Sequence, residues 1–217
     1  PFEIRSGFVS IGNGKHAPNV DAVRVLKQEI WPRIRKKLPE AKIHIYGAYL
    51  PQQVNEVHSP NTGFHVNGWA KNVDNVLQNA RVLLAPLQFG AGIKGKLLDA
   101  MKTGTPSVTT TIGAEGMHGN LAWNGSITDN WDEFVQAAVE LHQNQTTWHN
   151  AQQNGIKLLQ TFYKKEVLQN QLKDRLHQLR IALETQRQSN FIGKLLQQQT
   201  MSSTKYMAKW IEEKNRK

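Results

Sequence analysis

The segment from Val82 to Thr111 reads VLLAPLQFGAGIKGKLLDAMKTGTPSVTTT. The apolar residues 82–86 at its start are typical of a buried strand, and the β-branched run 107–111 at its end is typical of another. Between the two strands, a loop with two glycines leads into a predicted helix that ends at Gly104. A strand, a helix and a strand in this order predict one unit of a parallel sheet.

The same alternation covers the preceding residues. Short apolar runs at 8–11, 43–47 and 64–68 predict three more strands, and helical patterns separate most of them. The first helix should begin at a cap formed by Pro18-Asn19 and end at Leu38-Pro39. This order predicts an α/β fold, a doubly wound, Rossmann-like parallel sheet with helices on both faces, which binds its ligands at the carboxyl ends of the strands. The expected ligand-binding loops therefore follow Ile11, Tyr46, Val66, Pro86 and Thr111.

Length and charge bound the organisation of the chain. Its 217 residues suffice for one domain with an appendage but are short for two full domains. Residues 164–217 hold 12 Lys and Arg against 5 Asp and Glu, whereas residues 1–163 hold 15 against 12. Most of the net charge of +10 therefore belongs to the C-terminal part. We predict a Rossmann-like domain over 1–163 and a basic, amphipathic helical tail over 164–217.

The tail contains two apolar patterns. Leucines recur from Leu168 to Leu183 at near-heptad spacing, which predicts a helix that buries one side. Phe191-Ile192-Gly193 is expected to interrupt it. A last amphipathic segment places Tyr206, Met207, Trp210 and Ile211 among lysines, an arrangement that suits a membrane surface. A basic helix that packs on its own domain is the alternative interpretation.

The glycine-bearing loop suits a phosphate group. Glycines let the backbone close on a ligand, and the free N–H groups and positive dipole end of a helix N-terminus bind anions. Lys94 and Lys96 add two charges there, as a diphosphate leaving group requires while its negative charge grows. Asp99 follows in the helix, where its carboxylate can accept hydrogen bonds from a ribose diol. The alternatives are a simple turn with solvated lysines and a surface Asp in a local ion pair.

Several motifs occur in a fixed order along the chain. They are Pro18-Asn19, Ile45-Tyr46-Gly47, Val66-Asn67-Gly68, Ala85-Pro86-Leu87, Phe89-Gly90-Ala91-Gly92-Ile93-Lys94-Gly95-Lys96, Asp99-Ala100-Met101, Gly104-Thr105-Pro106 and Thr111-Ile112-Gly113-Ala114-Glu115-Gly116. In this order they resemble the C-terminal domain of family 4 retaining glycosyltransferases of the GT-B type, the "glycosyl transferases group 1" domain, over roughly residues 5–160.

The resemblance implies a function. The donor would be a nucleoside-diphosphate sugar, UDP- or GDP-linked, and the sugar would pass with retention to a glycan, a lipid-linked or another acceptor, as in polysaccharide biosynthesis. The acceptor and most catalytic groups would be held by an N-terminal domain outside this chain, so the fragment alone is expected to be inactive.

The family's donor-site residues map onto the loop. In that family two glutamates flank it, the first beside the donor sugar and the second on the donor ribose. The second falls on Asp99 and the first on Ala91, so no carboxylate stands at the donor-sugar position. The resemblance also implies that the backbone of Gly92, Ile93 and Lys94 faces the sugar and the phosphates.

The turn after the first strand is expected to supply positive charge. Asn13 stands where the family has an arginine, beside Gly12. Lys15, Lys94 or Lys96 would then provide the charge, unless Lys15 is simply solvated.

Two further loops complete the expected donor site. Gly68 and Trp69 match the loop that holds the base, where Trp69 packs either against the base or at an edge of the fold. Glu115 follows the fifth predicted strand at the ligand end, and its alternative role is that of a first-turn helix carboxylate.

Other functions have weaker support in the sequence. Residues 12–17 satisfy the dinucleotide pattern G-x-G-x-x-A, but the second strand ends at Tyr46-Gly47-Ala48 without the acid that binds the ribose of NAD. The eight histidines are scattered, so we expect no metal site. We expect no cofactor besides the nucleotide-sugar substrate. Few aromatic residues accompany the tail's lysines, so we expect no nucleic-acid partner. The alternative function is a non-catalytic nucleotide-binding module, or one whose tail contacts a nucleic acid or a membrane surface.

Three features bear on location. The chain begins at Pro1 without Met, so we expect a piece of a longer protein. It has no cysteine, which suits a reducing compartment, and no window of about 18 apolar residues predicts a membrane span. We expect a cytoplasmic protein whose tail allows peripheral contact with the cytoplasmic face of a membrane.

Overall fold

A parallel sheet of six strands forms the centre of the first part of the chain. The computed structural model describes residues 1–216, without the side chains of residues 198–201. It divides into two compact units, Pro1–Lys164 and Lys165–Lys217. The strands, all in the first unit, are β1 (Ser6–Ile11), β2 (Ile43–Tyr46), β3 (Phe64–Gly68), β4 (Ala80–Ala85), β5 (Ser107–Thr109) and β6 (Gly125–Ile127). Their order in the sheet is β3-β2-β1-β4-β5-β6, with neighbouring strands parallel.

Helices cover both faces of this sheet. They are α1 (Ala17–Val25), α2 (Trp31–Lys37), α3 (Gln52–Asn55), α4 (Val73–Asn79), α5 (Gly95–Lys102), α6 (Thr111–Ala114), α7 (Trp131–Gln143) and α8 (Gln145–Phe162). Phe8 of β1 packs in a core with α1, α2 and α7, whereas the next residue, Val9, packs in a second core with α4, α5 and α8. Successive residues of a strand face opposite sides, so the sheet is buried on both. The predicted doubly wound α/β fold is confirmed.

The first predicted helix differs from the structure in two ways. A π-helical turn, Leu26–Ile30, separates α1 from α2. Pro32 lies in the first turn of α2, and since proline has no N–H for the regular i→i−4 ladder, the hydrogen bonds shift at this point. The predicted cap at Pro18-Asn19 is wrong, because the N-cap is His16 and Pro18 already lies inside α1.

The strands agree with prediction best where an apolar run has clear ends. β3 has the predicted bounds, 64–68. β5 ends at Thr109, earlier than predicted, because the side chain of Thr110 accepts a hydrogen bond from the backbone of Gly113 and caps α6. β6 was not predicted, since Gly125-Ser126-Ile127 contains no apolar run.

A buried arginine fastens the start of β1. The guanidinium of Arg5 donates to the hydroxyl of Thr105 and to the carbonyl of Thr103, both at 2.7 Å, and to the carbonyl of Leu77 at 3.4 Å. It also lies 5.2 Å from the ring centre of Trp148. Burial lowers the pKa of Arg5, and its partners are neutral acceptors rather than a carboxylate.

The second unit consists of helices. They are α9 (Lys165–Ile181), α10 (Leu183–Ser189) and α11 (Phe191–Lys214). The predicted interruption at 191–193 is wrong by a short distance: Asn190 caps α11 by accepting a hydrogen bond from Gly193 at 2.8 Å, so Phe191 begins the helix. No residue of α9 or α10 is buried. Among the described residues, no helix meets the length and apolarity that crossing a bilayer requires.

The loops after β1 and β2 are in close contact. The N–H of Gly14 donates to the carbonyl of Ala48 at 2.8 Å, and the N–H of Gly47 donates to the carbonyl of Gly68 at 2.8 Å. A Cβ added at Gly47 would collide with the carbonyl oxygen of Gly12. Because the atom that faces Gly47 belongs to the backbone of Gly12, which cannot rotate away, a side chain at residue 47 would push the two loops apart.

We expect Gly47→Ala to lower the free energy of unfolding by about 1–3 kcal/mol, because it overpacks a rigid contact. Gly95→Ala is the control: a Cβ there meets nothing within 4 Å, and alanine in a helix should leave stability unchanged or raise it by up to about 1 kcal/mol. Urea denaturation followed by circular dichroism measures both. Equal effects of the two substitutions would contradict the contact between the loops.

Candidate functional site

Two loops meet where the strand order reverses. β1 and β4 are neighbours, but the chain leaves β1 towards α1 on one face and leaves β4 towards α5 on the other. In doubly wound sheets, ligands bind in the crevice that this divergence opens at the carboxyl ends of the strands. The loops after these two strands, residues 12–16 and 86–94, therefore form the candidate site.

Both helices begin at this crevice without a capping side chain. The N-cap residues, His16 of α1 and Lys94 of α5, make no side-chain hydrogen bond to their helices, and neither first turn contains an acid. The first N–H groups of a helix have no partner within it, and the positive end of the helix dipole attracts anions. The two N-termini therefore give the crevice a positive potential.

Lys96 and Asn19 join the two loops. The Nζ of Lys96 donates to the Oδ1 of Asn19 at 2.7 Å, and the Nδ2 of Asn19 donates to the carbonyl of Asn13 at 2.9 Å. Gly12 packs against this bridge, since an added Cβ would lie 2.5 Å from the Cγ of Asn19. Burial lowers the pKa of Lys96 to about 8. A desolvated ammonium with a neutral amide as its partner gains strongly from an anion.

The loop itself is open. Gly92 has a φ of 73°, and a Cβ added there meets nothing within 4 Å. The neighbouring Ile93 is 49% exposed. The Nζ of Lys94 is buried and has no hydrogen-bond partner among the described residues. Open backbone and an unsatisfied ammonium thus lie in consecutive positions before α5.

A third loop closes the crevice on the side of β5. The hydroxyl of Thr110 donates to the carbonyl of Leu87, which ties the end of β5 to the loop after β4. A Cβ added at Gly116 would lie 3.9 Å from the Cδ1 of Ile93. Glu115, just before Gly116, is exposed and follows the end of α6 rather than lying in a first turn. The structure therefore places the backbone of Gly116, the residue after Glu115, near Ile93.

Lys15 is held apart from the other two lysines. Its Nζ lies 4.2 Å from the ring centre of Tyr49, a cation–π contact. Its backbone N–H donates to the Oδ1 of Asn13 at 2.9 Å. Tyr49 is exposed and adopts a φ of 57°, in the left-handed region. Lys15 therefore lies at the rim, against the loop after β2.

The predicted base loop lies further along the sheet. Gly68 ends β3, and its carbonyl accepts the hydrogen bond from Gly47 of the loop after β2. The next residue, Trp69, is 70% exposed, so its ring has a free face and is not packed at an edge. The loops after β3, β2 and β1 thus follow one another towards the crevice.

Asp99 lies one helical turn beyond Lys96. It is half-buried, and burial raises its pKa, with a further rise from Asp74 and an opposing effect of Lys102. Lys102, one turn along α5 from Asp99, forms its ion pair with Asp74 at 3.0 Å and not with Asp99. Asp99 borders a cavity of about 600 Å³ that is lined by Leu98, Lys102, Leu159, Gln160, Tyr163 and Lys164.

Sequence reasoning missed Asn19 as a site residue. The sequence does contain a signal: Asn19 is the third residue of α1, and His16, not Asn19, is the N-cap. An amide in the first turn that does not cap the helix is available for another contact. Its role depends on Lys96, which is 77 positions away in the chain. Among the residues that the structure describes, no group of three or more His, Cys, Asp or Glu side chains is placed to hold a metal ion.

Fold and loop together define a doubly wound, Rossmann-like α/β domain. The family described as Glycosyl transferases group 1 matches residues 5–144. The chain belongs to this family, as its motifs predicted. A comparison with curated proteins gave no match.

Solved structures of glycosyltransferases share the fold. TarM of S. aureus, solved with UDP, has a TM-score of 0.65 at 15% identity over 78% of this chain and 35% of its own. The C-terminal domain of LpcC from Francisella tularensis has a TM-score of 0.55 at 15% identity over 75% of this chain and 89% of its own. An α,α-trehalose 6-phosphate synthase from Burkholderia multivorans reaches 0.63 at 9% identity, over 86% and 45%. The chain thus spans about a third of the length of TarM.

Lys96→Met should stabilise the protein at neutral pH. The pKa of Lys96 falls from 10.5 to about 8 on folding, so the buried charge destabilises the fold below pH 8, and this penalty disappears as the pH rises to 10.5. We expect a gain in free energy of unfolding at pH 7 of about 1–3 kcal/mol after the lost hydrogen bond to Asn19 is subtracted, shrinking above pH 8.

Urea denaturation at several pH values measures this gain, and Lys36→Met, which replaces an exposed lysine of α2, is the control and should give no gain. A less stable Lys96→Met protein at pH 7 would show that the ammonium of Lys96 is not a cost to the fold.

Proposed function

We propose that this chain binds the nucleoside-diphosphate part of a sugar donor. We further propose that, joined to an acceptor-binding domain, it transfers the sugar with retention of anomeric configuration. Membership of the glycosyltransferase family gives the class of reaction. The donor-binding role rests on the crevice between the loops after β1 and β4.

The ammonium groups of Lys94 and Lys96 carry this proposal. Within the described residues, the Nζ of Lys94 is buried without a hydrogen-bond partner, and the Nζ of Lys96 bonds to a neutral amide. Both lie at the N-terminus of α5, whose first turn has no acid. When the bond between sugar and diphosphate breaks, negative charge grows on the diphosphate, and preorganised positive groups stabilise it most in a desolvated site. A diphosphate supplies the counter-charge that these residues lack.

Asp99 is the residue we propose for the ribose. It lies one turn along α5 from Lys96, and its local cation Lys102 is engaged by Asp74. Asp99 has no partner among the described ion pairs, and such a half-buried carboxylate can accept hydrogen bonds from two adjacent hydroxyls. The backbone of Gly92 and Ile93 would then face the sugar.

The base would lie over the loop at Gly68 and Trp69. The exposed ring of Trp69 offers a surface for stacking. Glu115 is the carboxylate that we assign to the sugar side, because the next residue, Gly116, lies near Ile93. Lys15, which rests on Tyr49, would contribute long-range attraction from the rim.

The remaining parts of the proposal concern the whole protein. The acceptor, of glycan or lipid-linked type, and the groups that position its hydroxyl would come from an N-terminal domain across a cleft. The reaction would serve polysaccharide biosynthesis in the cytoplasm, without a metal or another cofactor. Attachment to a membrane surface is a separate proposal, carried by the geometry of α11. A non-catalytic nucleotide-binding module is the alternative function.

Titration calorimetry with UDP and GDP tests the donor site. We expect one of them to bind with the same affinity with and without EDTA, because lysines and a helix N-terminus supply the positive charge. Asp99→Asn should weaken binding by about 1.5–3 kcal/mol through the loss of charged hydrogen bonds. It should leave the fold intact, since burial already raises the pKa of Asp99.

The matched control is Asp132→Asn, which replaces an exposed carboxylate of α7 and should leave affinity unchanged. Binding that EDTA abolishes would contradict the metal-free site. An affinity unchanged in Asp99→Asn would remove Asp99 from it.

The division of labour between two domains gives a kinetic prediction. Positioning of two reactants supplies roughly 7–11 kcal/mol of barrier reduction, and one sheet cannot position both. We expect the full-length enzyme to transfer sugar with retention, seen by NMR of the product, and to keep its turnover in EDTA. Residues 1–217 alone should release nucleotide from the donor at the background rate. A fragment as active as the full-length enzyme would mean that the site lies wholly within this chain.

A further inference from the structure

Helix α11 carries an exposed apolar stripe near its C-terminal end. Tyr206, Met207, Trp210 and Ile211 follow the spacing i, i+1, i+4 and i+5, so they share an arc of about 140° around the helix. Tyr206 is 68% exposed, Met207 63%, Trp210 62% and Ile211 46%. Large side chains of this kind are among the residues that proteins most often bury or use in contacts. The stripe is thus a surface that lacks a partner in the described structure.

The rest of this helix segment is rich in positive charge. Lys205 and Lys209 lie outside the apolar arc, and Glu212 is an acidic residue on the same side. Arg216 follows the end of α11. Glu213 pairs with Arg216 at 3.1 Å, which leaves the two lysines without a carboxylate partner among the described ion pairs. The whole tail, residues 164–217, holds 12 basic against 5 acidic residues. A partner of the stripe must therefore be neutral or negatively charged.

Lys214 lies at the C-terminal end of the apolar arc, one turn beyond Trp210. Its Nζ lies 5.1 Å from the ring centre of Trp210, so the stem of the lysine follows the aromatic ring. Long basic side chains beside an aromatic ring can bury their methylenes while the charge reaches water or a headgroup. Tryptophan and tyrosine have the same double character, apolar bodies with a polar tip.

The geometry points to an anionic lipid surface as the partner of α11: the helix would lie in the plane of a bilayer interface, with the stripe among the acyl chains and the lysines on the headgroups. A stripe of Trp, Tyr, Met and Ile opposite Lys and Arg is the composition of interfacial helices. Each lysine near the surface adds attraction to acidic lipids. A bilayer span is not at issue, since no described helix is long and apolar enough for one.

Two other partners fit the charges less well. A second copy of the chain would bring a second tail with a net charge of +7, and like charges oppose that contact. A nucleic acid would match the charge but offers no apolar phase for Met207 and Ile211. An acidic bilayer provides an apolar phase for the stripe and negative charge for the lysines of α11.

Vesicle binding of the 217-residue chain tests this inference. We expect sedimentation with vesicles of mixed phosphatidylcholine and phosphatidylglycerol, little binding to phosphatidylcholine alone, and a decline at high ionic strength. Trp210→Glu should weaken binding about tenfold or more, because it removes a large apolar group from the stripe. Ala208→Glu makes the same change of charge about 160° around the helix from Trp210, and it should weaken binding by only about fivefold, the effect of one surface charge.

Two further measurements distinguish lipid binding from misfolding and from self-association. Residues 208 and 210 are exposed, so circular dichroism should show both variants folded, and both should bind nucleotide as the parent does, whether or not the donor site is the one proposed above. Light scattering gives the oligomeric state: a dimer that Trp210→Glu dissociates would assign the stripe to self-association and overturn the lipid proposal. Equal weakening by both variants, or equal binding to neutral vesicles, would overturn it as well.

Discussion

The pairing of β1 with β4 is the constraint on which the first unit depends. These strands are far apart in sequence but adjacent in the sheet, and the chain leaves them towards opposite faces. Every later feature of the site follows from this divergence: two helices start side by side, their N–H groups point into one crevice, and the loops before them must approach each other closely. Gly12, Gly14 and Gly47 mark the places where this approach leaves no room for a side chain.

The crevice holds two lysines whose described contacts include no carboxylate. Lys96 is desolvated against Asn19, and Lys94 has no hydrogen-bond partner in the part of the chain that the structure describes. Burying an ammonium group without a negatively charged partner costs free energy. Functional sites often retain local cost of this kind because the ligand removes it. Asp99 is the corresponding case of a negative group. Burial disfavours its charged form, and hydrogen-bond donors of a ligand would stabilise that charged form.

The fold could be predicted from sequence wherever one local pattern decided an element. β3 lies between two glycines and contains an apolar run, and its bounds were predicted correctly. β6 has no such run: its place beside β5 depends on Asn124, whose side chain donates to the carbonyl of Thr105 at 2.9 Å. In the site, the glycines and lysines before α5 were visible in the sequence as a phosphate loop. The bridge through Asn19 was not, since it exists only after residues 77 positions apart have come together.

Arg5 has a consequence for how the protein is made. Its guanidinium reaches acceptors 72, 98 and 100 positions further along the chain. A ribosome delivers residues in order, so β1 emerges long before the groups that hold Arg5 at its start have been synthesised. Until Thr105 has left the exit tunnel, this central strand lacks part of its anchor, and non-local contacts of this kind slow folding. The first unit should therefore gain its structure late in synthesis, in one cooperative event, rather than element by element as the chain appears.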